Sequence, residues 1–88
     1  MCGVNVNESQ IILKEIRKQE QSFGAMAKTI IIKINKDNET NEKNFDIQCV
    51  FDDEIRSIES TSNVAILNVI MQELLNQDYF LDFECEIY

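Results

Sequence analysis

The feature that most constrains this chain is the alternation near its end. From Tyr79 to Ile87 the odd positions are apolar: Tyr79, Leu81, Phe83, Cys85 and Ile87. The even positions hold Phe80, Asp82, Glu84 and Glu86. Successive side chains of a strand point to opposite faces, so this period demands a strand with one apolar and one acidic face. Two earlier stretches share the period. At 27–35, Ile30, Ile32 and Ile34 lie on one face and Ile31, Lys33 and Asn35 on the other. At 44–51, Phe45, Ile47, Cys49 and Phe51 alternate with Asp46, Gln48 and Val50. The polar run from Lys36 to Lys43 joins these two as a long hairpin loop. Isoleucine on both faces of the first strand places it centrally in a sheet.

Two other segments follow the helical period. Residues 8–22 bring Ile12, Leu13 and Ile16 to one face, which Phe23 closes. Asn7 and Gln10 have the spacing of a capping box, and Val6 and Ile11 that of a hydrophobic staple. Gly24 is placed to end this helix in the left-handed region. Residues 63–76 form a more apolar helix with a polar stripe of Asn68, Gln72 and Asn76. A stripe that narrow implies burial on most sides. Before it, Asp52 and Asp53 are placed to cap a short helical turn carrying Ile55 and Ile58, and Ser60, Thr61 and Ser62 offer a second cap. The order α-β-β-α-β predicts a small α+β domain with a three-stranded, mainly antiparallel sheet and helices on one face. Eighty-eight residues make a single domain, 1–88. Such a domain has little with which to cover the apolar helix, so a homodimer through residues 63–76, or a tight heterocomplex, is expected.

The chain has no proline and two glycines, Gly3 and Gly24. Its turns must therefore rely on Asn, Asp and Ser, whose short polar side chains tolerate turn geometry. No apolar stretch reaches the ~20 residues of a membrane-spanning helix, and the N-terminus does not read as a signal peptide. Three cysteines do not close a disulfide framework. Cys49 and Cys85 fall at apolar strand positions, where free thiols act as small hydrophobes. A reducing cytoplasm follows as the expected compartment. The Ile, Asn, Lys and Glu bias resembles that of AT-rich bacterial or phage genomes, so the cell is expected to be a bacterial host.

The motifs for chemistry are incomplete. Asp37, Glu39 and Asn41 have the first spacings of a calcium loop, but Glu42 and Gln48 stand where glycine and a bidentate glutamate belong. A solvated hairpin loop is the better reading. Without histidine, three widely spaced cysteines make no closed zinc site. No Ser or Cys has an evident base partner, so no enzyme and no cofactor are expected. Met1-Cys2-Gly3 resembles the start of N-terminal-nucleophile glutamine amidotransferases, but their fold needs a far longer chain and the supporting motifs are missing.

Charge is distributed unevenly. Between Phe45 and Tyr88 ten acids face one base, Arg56, whereas Met1 to Asn44 holds seven bases and six acids. The formal net charge is −8. Such a field repels phosphate and attracts basic surfaces, so the expected partner is a basic protein, with no direct nucleic acid and no membrane. Asp82, Glu84 and Glu86 line one face of the last strand, and Asp46 is assigned to the same face of its sheet. Alternate strand residues are ~6.6 Å apart, roughly two base steps of one DNA strand, so this row loosely imitates a phosphate backbone. A solvated outer face, which one-sided sheets normally have, is the other reading. Ile31, Val50 and Phe80 point outward beside the acids, and an apolar patch there resembles a binding surface more than a solubility face. The candidate partner-binding residues are Asp46, Phe80, Asp82, Glu84 and Glu86.

In size, acidity, composition and order of elements the chain resembles the small acidic anti-CRISPR proteins encoded by phages. Thr29 to Asn35 followed by Lys36-Asp37 is the stretch most like them. The resemblance implies a non-catalytic inhibitor that occupies a basic nucleic-acid or PAM-reading surface of an RNA-guided effector nuclease. An immunity protein neutralising a basic toxin would use the same physics. A small obligate oligomer joined through its apolar helix is the alternative from another class.

Overall fold

The computed structural model describes residues 6–87. The order of elements is α1 (Val6–Phe23), β1 (Thr29–Lys36), β2 (Lys43–Val50), β3 (Ile55–Thr61), α2 (Val64–Asn76) and β4 (Phe80–Ile87). The four strands form one sheet in the order β3-β2-β1-β4. β1 pairs antiparallel with β2 and parallel with β4, and β2 pairs antiparallel with β3. The α+β class and the central β1 agree with the sequence reading. The sheet, however, has four strands and not three, and it is mixed: two of its three pairings are antiparallel, in keeping with the mainly antiparallel expectation, and the β1–β4 pairing is parallel.

The extra strand is Ile55–Thr61, read from sequence as a helical turn and a broken cap. A four-residue turn, 51–54, leads into it, with the Phe51 N–H donating to the Glu54 carbonyl at 2.8 Å. The register shifts between Ile47 and Gln48, and Ile58 is the unmatched residue. This bulge interrupts the period of two. Ile58 and the buried Thr61 then reach the core three residues apart, a spacing that looks helical in the sequence. The polarity of β4 follows from the same strand. β3 and β4 run the same way, and parallel strands need a crossover, which α2 supplies.

Both helices lie on one face of the sheet, and the Cα envelope measures 40 × 36 × 19 Å, the flatness of two layers. The core between the layers joins Ile12, Leu13 and Ile16 of α1 to Ile30, Ile47 and Cys49 of the sheet and Ile66, Ile70 and Leu74 of α2. A smaller cluster gathers Ile32, Phe45 and Leu67 at the hairpin end. Fully burying an aliphatic side chain stabilises by roughly 1.5–3 kcal/mol, so these residues dominate the folding energy.

The helix ends show how a glycine-poor chain makes its turns. The backbone of α1 is already helical at Val6, so Asn7 lies within the helix; the side chains of Val6 and Asn7, assigned to the staple and the capping box, lie outside what the structure describes, and Ile11, the other half of the staple, is 59% exposed. Gly24 does end α1, at φ 86°, and its N–H donates to the Glu20 carbonyl at 2.8 Å. The cap of α2 is Asn63 and not a residue of Ser60 to Ser62. The Asn63 side chain accepts from the N–H groups of Ala65 at 2.9 Å and Ile66 at 3.4 Å. At the other end Asp78 takes φ 65°, with the Tyr79 N–H reaching back to Leu74 and the Asp78 N–H to Leu75. That is a Schellman closure with Asp where glycine is usual. In the hairpin loop Asn41 has φ 61°, and the Asp37 carboxylate accepts from the Glu39 N–H at 2.9 Å. The carboxylate is thus turned inward to hold its own loop, as the hairpin reading requires.

Helix α2 is less enclosed than its composition implies. Ile66, Leu67, Ile70 and Leu74 are buried, but Val64, Val69 and Leu75 are 55%, 42% and 51% exposed. A two-layer fold offers this helix only the sheet beneath it and α1 beside it. Among the described residues no helix is long and apolar enough to cross a membrane.

Candidate partner-binding face

The outer face of the sheet is built by strand register. Because Ile30, Ile32, Ile47 and Cys49 point to the helices, their neighbours in sequence point away. Four cross-strand rows result. Ile55, Val50, Thr29 and Phe80 form the first, and Ser57, Gln48, Ile31 and Asp82 the second. Ser60, Asp46, Lys33 and Glu84 form the third, and Asn44, Asn35 and Glu86 the fourth. One end of the face is therefore apolar and the other acidic.

All five candidate residues share this face. Phe80 is 75% exposed, and Asp82 and Glu84 are exposed. Asp46 and Glu86 are half-buried. The Asp46 carboxylate accepts from the Asn35 side-chain amide at 2.8 Å, and the Asp82 carboxylate from the Phe83 N–H at 3.0 Å. The acids are not a uniform row, because Lys33 stands between Asp46 and Glu84 and forms an ion pair with Glu86. A cation in the middle of the patch lowers its field but fixes the side chains around it, since the pair is only partly solvated.

Two sequence assignments for this face change. Ile31 points outward but is only 7% exposed, so it supports the face from within and offers no apolar surface. Ile55 is 59% exposed in the first row and completes an apolar strip with Val50 and Phe80. The sequence does not mark it, because Ile55 and Ile58 have the spacing of a helical turn. The remaining signal was the strand's β-branched, Ser/Thr-rich composition, which favours strands over helices.

Arg56 does not offset these acids. Its guanidinium donates to both carboxylate oxygens of Glu54, at 3.0 and 3.2 Å, and to the Gln19 side chain at 3.1 Å. It also lies 5.4 Å from the Phe23 ring centroid and 5.5 Å from that of Phe51. Those rings stack on each other with centroids 4.3 Å apart. The single base of the acidic half thus ties β3 to α1 on the helical side.

The cysteines separate. Cys49 is fully buried, and burial pushes its thiol up to about 12, with the nearby Glu20 charge adding to the effect. Cys85 is on the helix-facing side, as its phase requires, yet it is exposed. Phe83 and Ile87 on the same side are 51% and 62% exposed. β4 is an edge strand, and the helical layer stops short of its far half. Cys2 and the rest of Met1-Cys2-Gly3 lie outside the described residues. No protein-family model, curated protein or solved structure matches the chain.

Proposed function

We propose that this chain is a non-catalytic acidic inhibitor of a basic, nucleic-acid-handling protein, such as an RNA-guided effector nuclease. It acts by laying its outer sheet face on a surface that otherwise holds nucleic acid. The observation that carries this reading is the shared face: Asp46, Asp82, Glu84 and Glu86 lie together at one end, with Phe80 exposed at the other. Acids spaced along a rigid strand steer a basic partner into register, and an exposed aromatic ring at their margin supplies an anchor that charge alone lacks. An immunity protein directed at a basic toxin would use the same face in the same way. Exposed Val64, Val69 and Leu75 on α2 favour a second reading, in which the chain is a homodimer joined through residues 63–76.

The test is inhibition of DNA cleavage by purified effector nucleases, with binding measured at low and high salt. Asp82, Glu84 and Glu86 are replaced together by Asn, Gln and Gln. The variant is expected to keep its fold, to associate on the order of tenfold more slowly, and to differ less from the parent as salt rises. Phe80→Ala is expected to raise the dissociation rate instead. A correctly folded triple variant that binds as well as the parent at low salt would sink the reading.

A further inference from the structure

We propose that the free edge of β4 receives its partner by strand addition, and that the added segment alternates basic and apolar residues. The proposal rests on the acidic face being the partner-facing one. The sheet order leaves one side of β4 without a strand among the described residues. The edge is eight residues long, Phe80–Ile87. A long, regular edge is a template for another strand. The Phe83 N–H donates to the carboxylate of Asp82, its own neighbour, at 3.0 Å. Backbone groups alternate sides along a strand, so Leu81, Cys85 and Ile87 present their amides to the same edge as Phe83. The other edge strand, β3, is interrupted by the bulge at Ile58 and is the poorer template.

The side chains specify the occupant. A strand added at ~4.8 Å from β4 places its residues beside those of β4 on each face. On the outer face it meets Asp82 and Glu84, with Glu86 already paired to Lys33 beside them, and the two outer acids call for Lys or Arg. On the helical face it meets Phe83 and Ile87, 51% and 62% exposed, which demand apolar residues. A second copy of this chain is the wrong occupant. Antiparallel pairing of β4 with itself, over most of its length and with both helical layers on one side, sets at least one acid directly opposite another. Like charges in that position oppose pairing. The acidic row therefore keeps the edge from closing on itself while selecting a basic strand.

The probe is a short synthetic peptide alternating lysine and valine, titrated at low salt into the protein. Its controls are a scrambled peptide of equal charge and a version N-methylated at alternate amides. The alternating peptide is expected to bind and to slow amide exchange at Leu81 and Cys85. N-methylation, which removes the ladder donors but not the charge, is expected to weaken binding by about tenfold or more. Cys85→Pro, which removes one edge donor without touching the β1 ladder, should do the same. If the scrambled and N-methylated peptides bind equally well with no slowed exchange, the acidic face holds basic partners by charge alone; strand addition then falls and the functional reading stands. If no lysine-rich peptide binds at low salt, both fall. Amides of Leu81 and Cys85 already slow to exchange without peptide, in a chain that scatters light as a dimer, would mean that a second copy occupies the edge and would overturn the proposal.

Discussion

Glu20 joins three parts of the fold through its own hydrogen bonds. Its carboxylate accepts from the Tyr79 hydroxyl at 2.6 Å and from the Ala27 N–H at 2.9 Å. Its carbonyl accepts from the N–H groups of Gly24 and Ala25. One residue thus ties the end of α1 to the entry of β1 and the approach to β4. A hydrogen bond to a charged group contributes about 1.5–3 kcal/mol, so Tyr79→Phe is expected to lower unfolding free energy by about that much in chemical denaturation. The cysteines give a second test. The Cys49 thiol, pushed up to about 12 by burial, should react with a thiol reagent at least on the order of a thousandfold more slowly than an ordinary exposed thiol. Cys85 should label quickly; labelling as slow as that of Cys49 would show that β4 is covered. The raised thiol also sets a pH dependence. The unfolded chain releases this proton near pH ~8.5 and the folded chain only near 12, so stability is fully present below pH ~8.5 and falls as pH rises. Tyr79, raised by burial and by its bond to Glu20, adds to the same alkaline loss. Denaturation at pH 8 and pH 10 should differ by about 1–2 kcal/mol, and Cys49→Ala should flatten the difference.

At the scale of elements, α2 carries the most consequence. It is the crossover that lets β4 run parallel to β1, and its start depends on Asn63, whose side chain takes two orphan amides. The Asn63 N–H in turn donates to the Thr61 hydroxyl at 3.1 Å, which ties the cap to the end of β3. Asn63→Ala should cost about 1 kcal/mol in thermal or chemical unfolding, the usual loss of an N-cap. Gly24→Ala isolates a different effect at the end of α1. A methyl group there would meet nothing within 4 Å, so any cost comes from φ 86° alone. That cost should be about 1–2 kcal/mol, and a neutral result would show that the turn relaxes to another conformation.

The whole molecule has two unlike sides. Exposed Lys14, Arg17 and Lys18 on α1 belong to the helical layer, whereas Asp82, Glu84 and the Lys33–Glu86 pair belong to the outer face of the sheet. A flat, two-layer body separates these charges by its full thickness, so the field is directional, and a basic molecule would be drawn toward the sheet. The uncovered residues of α2 bear on assembly. If Val64, Val69 and Leu75 form an interface, light scattering at micromolar concentration should give a dimer that persists at high salt, because apolar association is insensitive to screening. Binding through the acidic face should instead weaken steadily with salt. A stable monomer throughout would remove the helix-mediated dimer from consideration.

Local periodicity determined a great deal by itself. The inward faces of β1 and β2, the buried stripe of α1, the limits of α2 and the glycine stop at Gly24 all follow from spacing, because each is a property of a few consecutive residues. The face shared by Asp82, Glu84 and Glu86 follows too, since a strand alternates wherever it lies. What needed tertiary structure was everything that depends on neighbours distant in sequence. The bulge at Ile58 is defined only against β2, so β3 looked helical. The exposure of Cys85, Phe83 and Ile87 depends on how far the helical layer reaches over an edge strand. The place of Lys33 among the acids depends on register with both β2 and β4. Alternation decides which side of a strand a residue faces; only packing decides whether anything stands on that side to cover it.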